Sequence, residues 1–328
     1  MFAYTVRRLV AGLLVLFAAS TMVFFAVAVS GDPLEPLRLT NPPAPPETIA
    51  LMEQRLHLDQ PIWHRYWIWL TDLVTHASFG NSVNDTIDIG PDLIDRAWVT
   101  MRLVLIAMLL AVVLAVVAGV VSAVRQYSKT DYTLTFTGFL FLAMPSFWLA
   151  ILLKDVGIWF NQQTGTTTFY TLGDSSPYLE DPTPWHVVTD IAGHLILPTI
   201  SLALISYASW SRYQRASMLE VLGSDYVRLA RAKGLRWGAV LRRHALRTAL
   251  IPLVTVTALD IAGIIGGAVI TETVFNWNGM GRFLLVAIAQ HDINVVMAWL
   301  VFAGFVAVLF NIIADLLYGL LDPRIRYE

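Results

Sequence analysis

Asp260 stands alone in an otherwise uncharged run, residues 249–271. A carboxylate near a bilayer centre costs about 2.5–3.5 kcal/mol on insertion scales, so it needs a partner, a proton or water. Two readings are open for Asp260: a group on a translocation pathway, or a hydrogen-bonded side chain that holds helices together. Gly263 and Gly267 follow at four-residue spacing with Gly266 beside them, a face that permits close backbone approach to a neighbouring helix. Asn311 and Asp315 are one helical turn apart, the spacing of a structural hydrogen-bonding pair.

Several other chemistries are excluded by residue type. A phosphate-binding loop of the Gly-x-x-x-x-Gly-Lys-Ser/Thr kind needs a lysine preceded by glycine, and Lys129, Lys154 and Lys233 all lack one. The 7 histidines include no His-x-x-x-His pair, which removes the helical zinc-hydrolase pattern. With 0 cysteines there is no thiolate nucleophile, disulfide framework or cysteine-ligated metal. No catalytic residue, metal site or bound cofactor is therefore expected, and if the chain is a pump its ATPase is another chain.

The elements that must position these residues are helices in a membrane. Hydrophobic residues make up 56% of the 328 and charged ones only 14%, against roughly 25% charged in soluble proteins. Residues 9–29 are uncharged throughout, and at ~1.5 Å per residue they reach about 32 Å, enough for a ~30 Å hydrocarbon core. Comparable stretches cover 103–124, 132–153, 195–210, 249–271 and 295–314, which predicts an all-α protein of six spans. Residues 1–8, 125–133, 211–248 and 318–328 together hold 15 basic and 5 acidic residues. Residues 30–100, 154–194 and 272–294 hold 6 and 17. Basic residues near span ends are retained inside, so both termini are expected in the cytoplasm. A net charge of -2 offers no basic excess for nucleic acid. The rival reading of the first run as a cleavable signal peptide would leave five spans and upset this alternation.

Between the spans, residues 30–100 form a long external segment, stiffened by the prolines of 42–46. In it Trp63, Tyr66, Trp67 and Leu70 fall at i, i+3, i+4 and i+7, an aromatic face suited to the outer headgroup layer or to an external partner. The segment 154–194, with Pro177, Pro182 and Pro184, reads as irregular. Residues 211–248 are different. Ser224 as N-cap, Asp225 as first-turn anion, Lys233 as last-turn cation and Gly234 just beyond predict a short helix over 225–233, with a second helix starting near Trp237. Nine basic residues here could touch anionic lipid. Lipid contact alone does not require a capped helix, a glycine break and a second helix, a compact element built to be gripped by another protein.

The stretch "RASMLEVLGSDYVRLARAKGL" (215–235), followed by "LRRHALRTALIP" (241–252), resembles the cytoplasmic loop of ABC-importer permeases, in the branch for oligopeptides, dipeptides and, in some members, nickel. The resemblance extends to "GDP" (31–33), "LDQP" (58–61), "MPSFWLA" (144–150), "HLILP" (194–198), "GGAVITETVFNWNGMGR" (266–282) and "DLLYGLLDPRIR" (315–326), in order along nearly the whole chain.

The resemblance implies the first, B-type, peptide permease subunit of a type I importer. This chain would pair with a homologous permease, two cytosolic ATPase subunits that carry ATP and magnesium, and an extracytoplasmic binding lipoprotein. The layout would be an N-terminal transmembrane helix (1–30), an extracytoplasmic cap (31–100), a permease core (101–318) and a cytoplasmic tail (319–328). Asp225, Tyr226, Arg228, Ala230, Arg231, Ala232, Lys233, Gly234 and Leu235 would form the coupling helix held by an ATPase, and Asp260, Gly263 and Gly267 would lie on the pathway. Two positions depart from the family pattern. Arg228 replaces the glutamate that opens the general loop motif, as is usual in the peptide branch, and Asp260 stands where an uncharged polar residue is expected. The alternatives are a nickel or glutathione permease, a proton-coupled transporter using Asp260 and Asp315, and a structural membrane anchor.

Overall fold

The structure, a computed structural model, describes residues 2–39, 42, 44–83, 88–178 and 183–321. Apart from one isolated bridge between Asn81 and Asp88, the regular structure among the described residues is helical. In chain order the helices are α1 (Phe2–Ser30), α2 (Glu35–Leu39), α3 (Pro46–Arg55), α4 (Ile62–His76), α5 (Ile89–Val124), α6 (Lys129–Ala143), α7 (Ser146–Thr164), α8 (Pro184–Leu222), α9 (Asp225–Ala232) and α10 (Trp237–Val240). A π-helical turn at Leu241–Ala245 leads into α11 (Leu246–Leu259), followed by α12 (Ile261–Phe275), α13 (Met280–Ala289) and α14 (Ile293–Leu321).

Four helices, α1, α5, α8 and α14, are each long and apolar enough to cross a membrane; six spans result only if each of two bent helix pairs counts as one. The run 132–153 is not a straight span. Pro145 disfavours helical geometry in the residue before it, Met144 is extended (φ -80°, ψ 131°), and α6 meets α7 at 107°. The run 249–271 likewise breaks at Asp260, where α11 and α12 differ by 59°. The fourth span is longer than its uncharged stretch, because α8 runs unbroken through Asp190, His194 and Pro198. The segment 154–194 is therefore helical at both ends, and among its described residues only 165–178 and Thr183 lie outside helices.

Contacts group Met101–Trp277 with 307–321, and Phe2–Thr100 with Asn278–Val306. In the first group α8 is the central helix, packed by α6, α7, α11 and α12. In the second, Phe24 of α1, Tyr66 and Trp69 of α4, and Ile293 and Met297 of α14 share one apolar cluster. The Tyr66 hydroxyl lies 3.0 Å from both Ser20 Oγ and Thr21 Oγ1 on α1. The aromatic face of α4 is thus divided: Tyr66 is 3% exposed and packed against α1, whereas Trp63 and Trp67 are 59% and 50% exposed. The buried stripe is 62, 66, 69, 70 and 73, which takes in Trp69 and turns Trp63 and Trp67 outward. In the same group Asp292 accepts hydrogen bonds from Ser82 Oγ (2.7 Å) and Val83 N (2.9 Å), fastening the segment between α4 and α5 to the start of α14.

Candidate functional site

Helix α9 forms where the local sequence places it. Ser224 is extended (φ -74°, ψ 152°), Asp225 opens the first turn and Arg231 closes the last. The helix ends at Ala232, one residue before the expected Lys233, which becomes its C-cap. Gly234 has φ +81°, a left-handed conformation that glycine adopts without strain, and the chain reverses there into α10 at Trp237. Ser224 does not cap α9 with its side chain. Its hydroxyl donates to Val221 O at 2.5 Å and so braces the end of α8 instead.

The two faces of α9 do different things. Val227 and Ala230 are buried in a cluster with Ala123 of α5, Met218 and Val221 of α8, Val240 of α10, Ala245 and Ala249. Ala230, expected at a partner surface, is thus part of the seat beneath it, because position 230 falls on the same face as 227. Outward stand Asp225, Tyr226, Arg228, Arg231, Ala232, Lys233, Gly234 and Leu235. Sequence reasoning missed Leu229, 56% exposed, and Trp237, 40% exposed, which with Tyr226 and Leu235 are the large apolar side chains exposed between 225 and 237, among basic residues. Their signal was present in the i, i+3 spacing of 226 and 229. The Arg231 guanidinium lies 4.9 Å from the Trp237 ring centroid, a cation–π contact joining α9 to α10. Arg228 meets Asp225 at 3.5 Å, but both side chains stand in solvent, where such pairs contribute little.

Asp260 lies at the α11–α12 break and accepts a 2.8 Å hydrogen bond from Trp210 Nε1 of α8. This pairing, 50 residues apart in sequence, supplies the partner that a carboxylate in an apolar setting requires. Among the described residues the glycine face beyond it is largely uncovered. A Cβ at Gly263 or Gly266 would meet nothing within 4 Å, and one at Gly267 would meet only Leu202 Cδ1 at 3.5 Å. Asn311 is half-buried; the side chain of Asp315 and residues 322–328 lie outside the described residues. Among the described residues no group of three or more His, Cys, Asp or Glu is placed to hold a metal ion. A cavity of about 770 Å³ lies in the second contact group and is lined by Asp88, Asp92, Asp95, Arg96 and Asp292 among others; none of the expected site residues borders it.

Residues 111–327 match the family described as "Binding-protein-dependent transport system inner membrane component". The chain belongs to this family. Residues 1–115 match its companion, "Binding-prot-dependent transport system membrane comp, N-term", so the two models together cover nearly every residue. Among the inner membrane components of this family, the oligopeptide transport system permease protein OppB of Mycobacterium tuberculosis (strain ATCC 25618 / H37Rv) is 38% identical over 323 residues, 98% of each chain. The dipeptide transport system permease protein DppB of Escherichia coli (strain K12) is 36% identical over 347 residues and covers 100% of both. A chain from an inward-facing structure of the MetNI methionine ABC transporter superposes with a TM-score of 0.54 at 16% identity, covering 70% of this chain and 96% of that one. That likeness shows the fold of an ABC-importer permease. Family and fold make this chain a multi-pass transport subunit of the inner membrane.

Proposed function

We propose that this chain is one of two permease subunits of an ATP-driven importer of peptides, and that α9 with its flanks is the element through which an ATPase subunit drives it. The observation that carries the reading is the division of labour on α9. One face, Val227 and Ala230, is fixed in the core, and the other offers Tyr226, Leu229, Leu235 and Trp237 among Arg228, Arg231 and Lys233. Force applied to the outer face therefore reaches the membrane helices without being lost in a flexible loop. The fitting partner surface is a groove with an apolar floor and an acidic rim, on a cytosolic ATPase that carries ATP and magnesium.

The excess of basic residues in 211–248 supports a cytoplasmic position for α9, with both termini on the same side. Closure of an ATPase dimer would then move α9 and rock this subunit against a homologous permease, opening the path to alternate sides. Asp260, with Gly263 and Gly267, is the candidate pathway element: a carboxylate at a helix break beside a face open to a second subunit. Peptide as cargo is supported by full-length relatives that carry oligopeptide and dipeptide permease names. An extracytoplasmic binding protein would deliver it to the cap formed by 31–100.

Reconstitution tests this. Liposomes holding this chain, its partner permease and the ATPases, supplied with binding protein, should take up labelled peptide with ATP and lose uptake with vanadate. Excess unlabelled dipeptide or oligopeptide should compete, and nickel or glutathione should not. Uptake by this chain alone, driven by a proton gradient, overturns the reading.

A further inference from the structure

The C-terminal end of α5, the first turn of α6 and the α8 segment around Arg215 are joined by an ionic network that the coupling reading does not require. Asp131, in the first turn of α6, is only 2% exposed. Its carboxylate accepts two hydrogen bonds from Arg215 of α8, Nε to Oδ1 and a terminal nitrogen to Oδ2, both at 2.8 Å. The Ser122 hydroxyl of α5 donates to Oδ1, and the Tyr127 backbone N–H donates to Oδ2 at 2.9 Å from the α5–α6 turn. Tyr127 itself sits at φ +62°, a conformation that side chains other than glycine adopt rarely and that this bond helps to hold. Arg215 Nε also donates to Ser122 Oγ at 3.0 Å. One aspartate thus binds three helices and a turn.

Two further contacts lie on either side of this network along the same helices. A Cβ at Gly119 of α5 would come within 2.7 Å of the Gln214 side chain and 2.9 Å of Arg215 N, so the α5 and α8 backbones touch there. In the direction of α9, Ala123 of α5 and Met218 and Val221 of α8 form the seat that takes Val227 and Ala230. The ion pair therefore stands between a backbone contact and the bed of α9.

We infer that the Asp131–Arg215 pair is a positioning clamp: it ties α6 to the ends of α5 and α8 that seat α9, so that a push on α9 displaces all three together. This rests on the reading of α9 as the ATPase-driven element. The Asp131 carboxylate is buried and the Arg215 side chain 28% exposed, so stability is a weak account of the pair: apolar replacement of such pairs is often neutral or stabilising, and the best-attested use of buried ionic groups is to fix register. Here the register fixed is that between the helix continuing towards α9 and the two helices that must move with it. A bidentate arginine suits this, since it resists both sliding and rotation where a single bond would allow a swivel.

The test uses the assembled transporter in liposomes. Asp131→Asn should leave the ATPases bound and hydrolysing ATP but lower the peptide imported per ATP by about fivefold or more, the scale of a typical coupling energy. Arg215→Lys, which keeps the charge and loses the fork, should do the same and serves if the first variant fails to assemble. A Cβ at Gly138 of α6 lies 3.7 Å from Ser211 Oγ of α8, so Gly138→Cys with Ser211→Cys sets two thiols close together across these helices in a chain that has no other cysteine, and a short bis-methanethiosulfonate crosslinker joins them through reducible disulfides. Forming this crosslink should leave import by the otherwise unaltered chain intact and restore the ratio in Asp131→Asn, a rescue that a merely stabilising pair does not predict. Import blocked by the crosslink and released by reductant means that α6 slides past α8, and the inference fails; an unchanged ratio in both pair variants ends it too. Import that never depends on the ATPases removes the proposed function itself, a separate result.

Discussion

At the scale of single residues, Asp260 is the position where chemistry and architecture meet. It terminates α11, opens α12 and accepts from Trp210 Nε1 at 2.8 Å, which leaves lone pairs on both carboxylate oxygens for a further donor. A protonated peptide amino terminus is such a donor. Asp260→Asn should weaken import of peptides with a free amino terminus by about tenfold relative to their acetylated forms, the scale of one charge-assisted hydrogen bond; competition uptake assays read the ratio, and an unchanged preference removes Asp260 from the pathway. Gly234 offers a second test at this scale. With φ +81° it cannot take a branched side chain without about 1–2 kcal/mol of backbone strain. Gly234→Val should shift the turn between α9 and α10 and lower ATPase affinity, measured by titrating ATPase onto the permease pair, although nothing within 4 Å crowds the position.

At the scale of the element, the two faces of α9 predict two separable phenotypes. Tyr226→Ala and Leu229→Ala remove exposed apolar surface, so they should reduce ATPase binding with little change in the permease's thermal unfolding. Val227→Ala removes a buried side chain from the seat and should destabilise by about 1–2 kcal/mol, visible as a lowered melting temperature before any partner is added. The opposite pattern, destabilisation from 226 and partner loss from 227, would mean that α9 is turned the other way. Helix α12 supplies the parallel case. Gly263 has open space within the chain, so Gly263→Leu should leave this subunit folded while hindering its pairing with the second permease, read by co-purification.

At the scale of the whole molecule, the charge alternation predicts topology. Because the chain has no cysteine, single substitutions report position directly. Glu220→Cys and Gln54→Cys are both at exposed sites in separate segments. In intact cells a membrane-impermeant thiol reagent should label 54 and spare 220, and in inverted vesicles the pattern should reverse. Labelling of both from one side would contradict the alternation from which the cytoplasmic position of α9 is argued.

What could be read from the sequence is what is decided within a few residues. The limits of α9 follow from Asp225 in its first turn and Gly234 beyond its end, because dihedral preference and the orphaned groups of a helix terminus act over one turn. Apolar run length marked four of the spans for the same reason, since crossing a bilayer is a demand on composition. The break at Met144 was legible in Pro145 but hidden by the run's unbroken hydrophobicity, since hydropathy does not register a backbone bend. What only the tertiary structure decided are pairings across long separations: Trp210 with Asp260, Tyr66 with α1, and Arg215 with Asp131, 84 residues away. Periodicity announces that a stripe will be buried but carries no information about which helix covers it. That choice belongs to packing, in which Gly119, Ala123 and Ala230 let particular backbones approach.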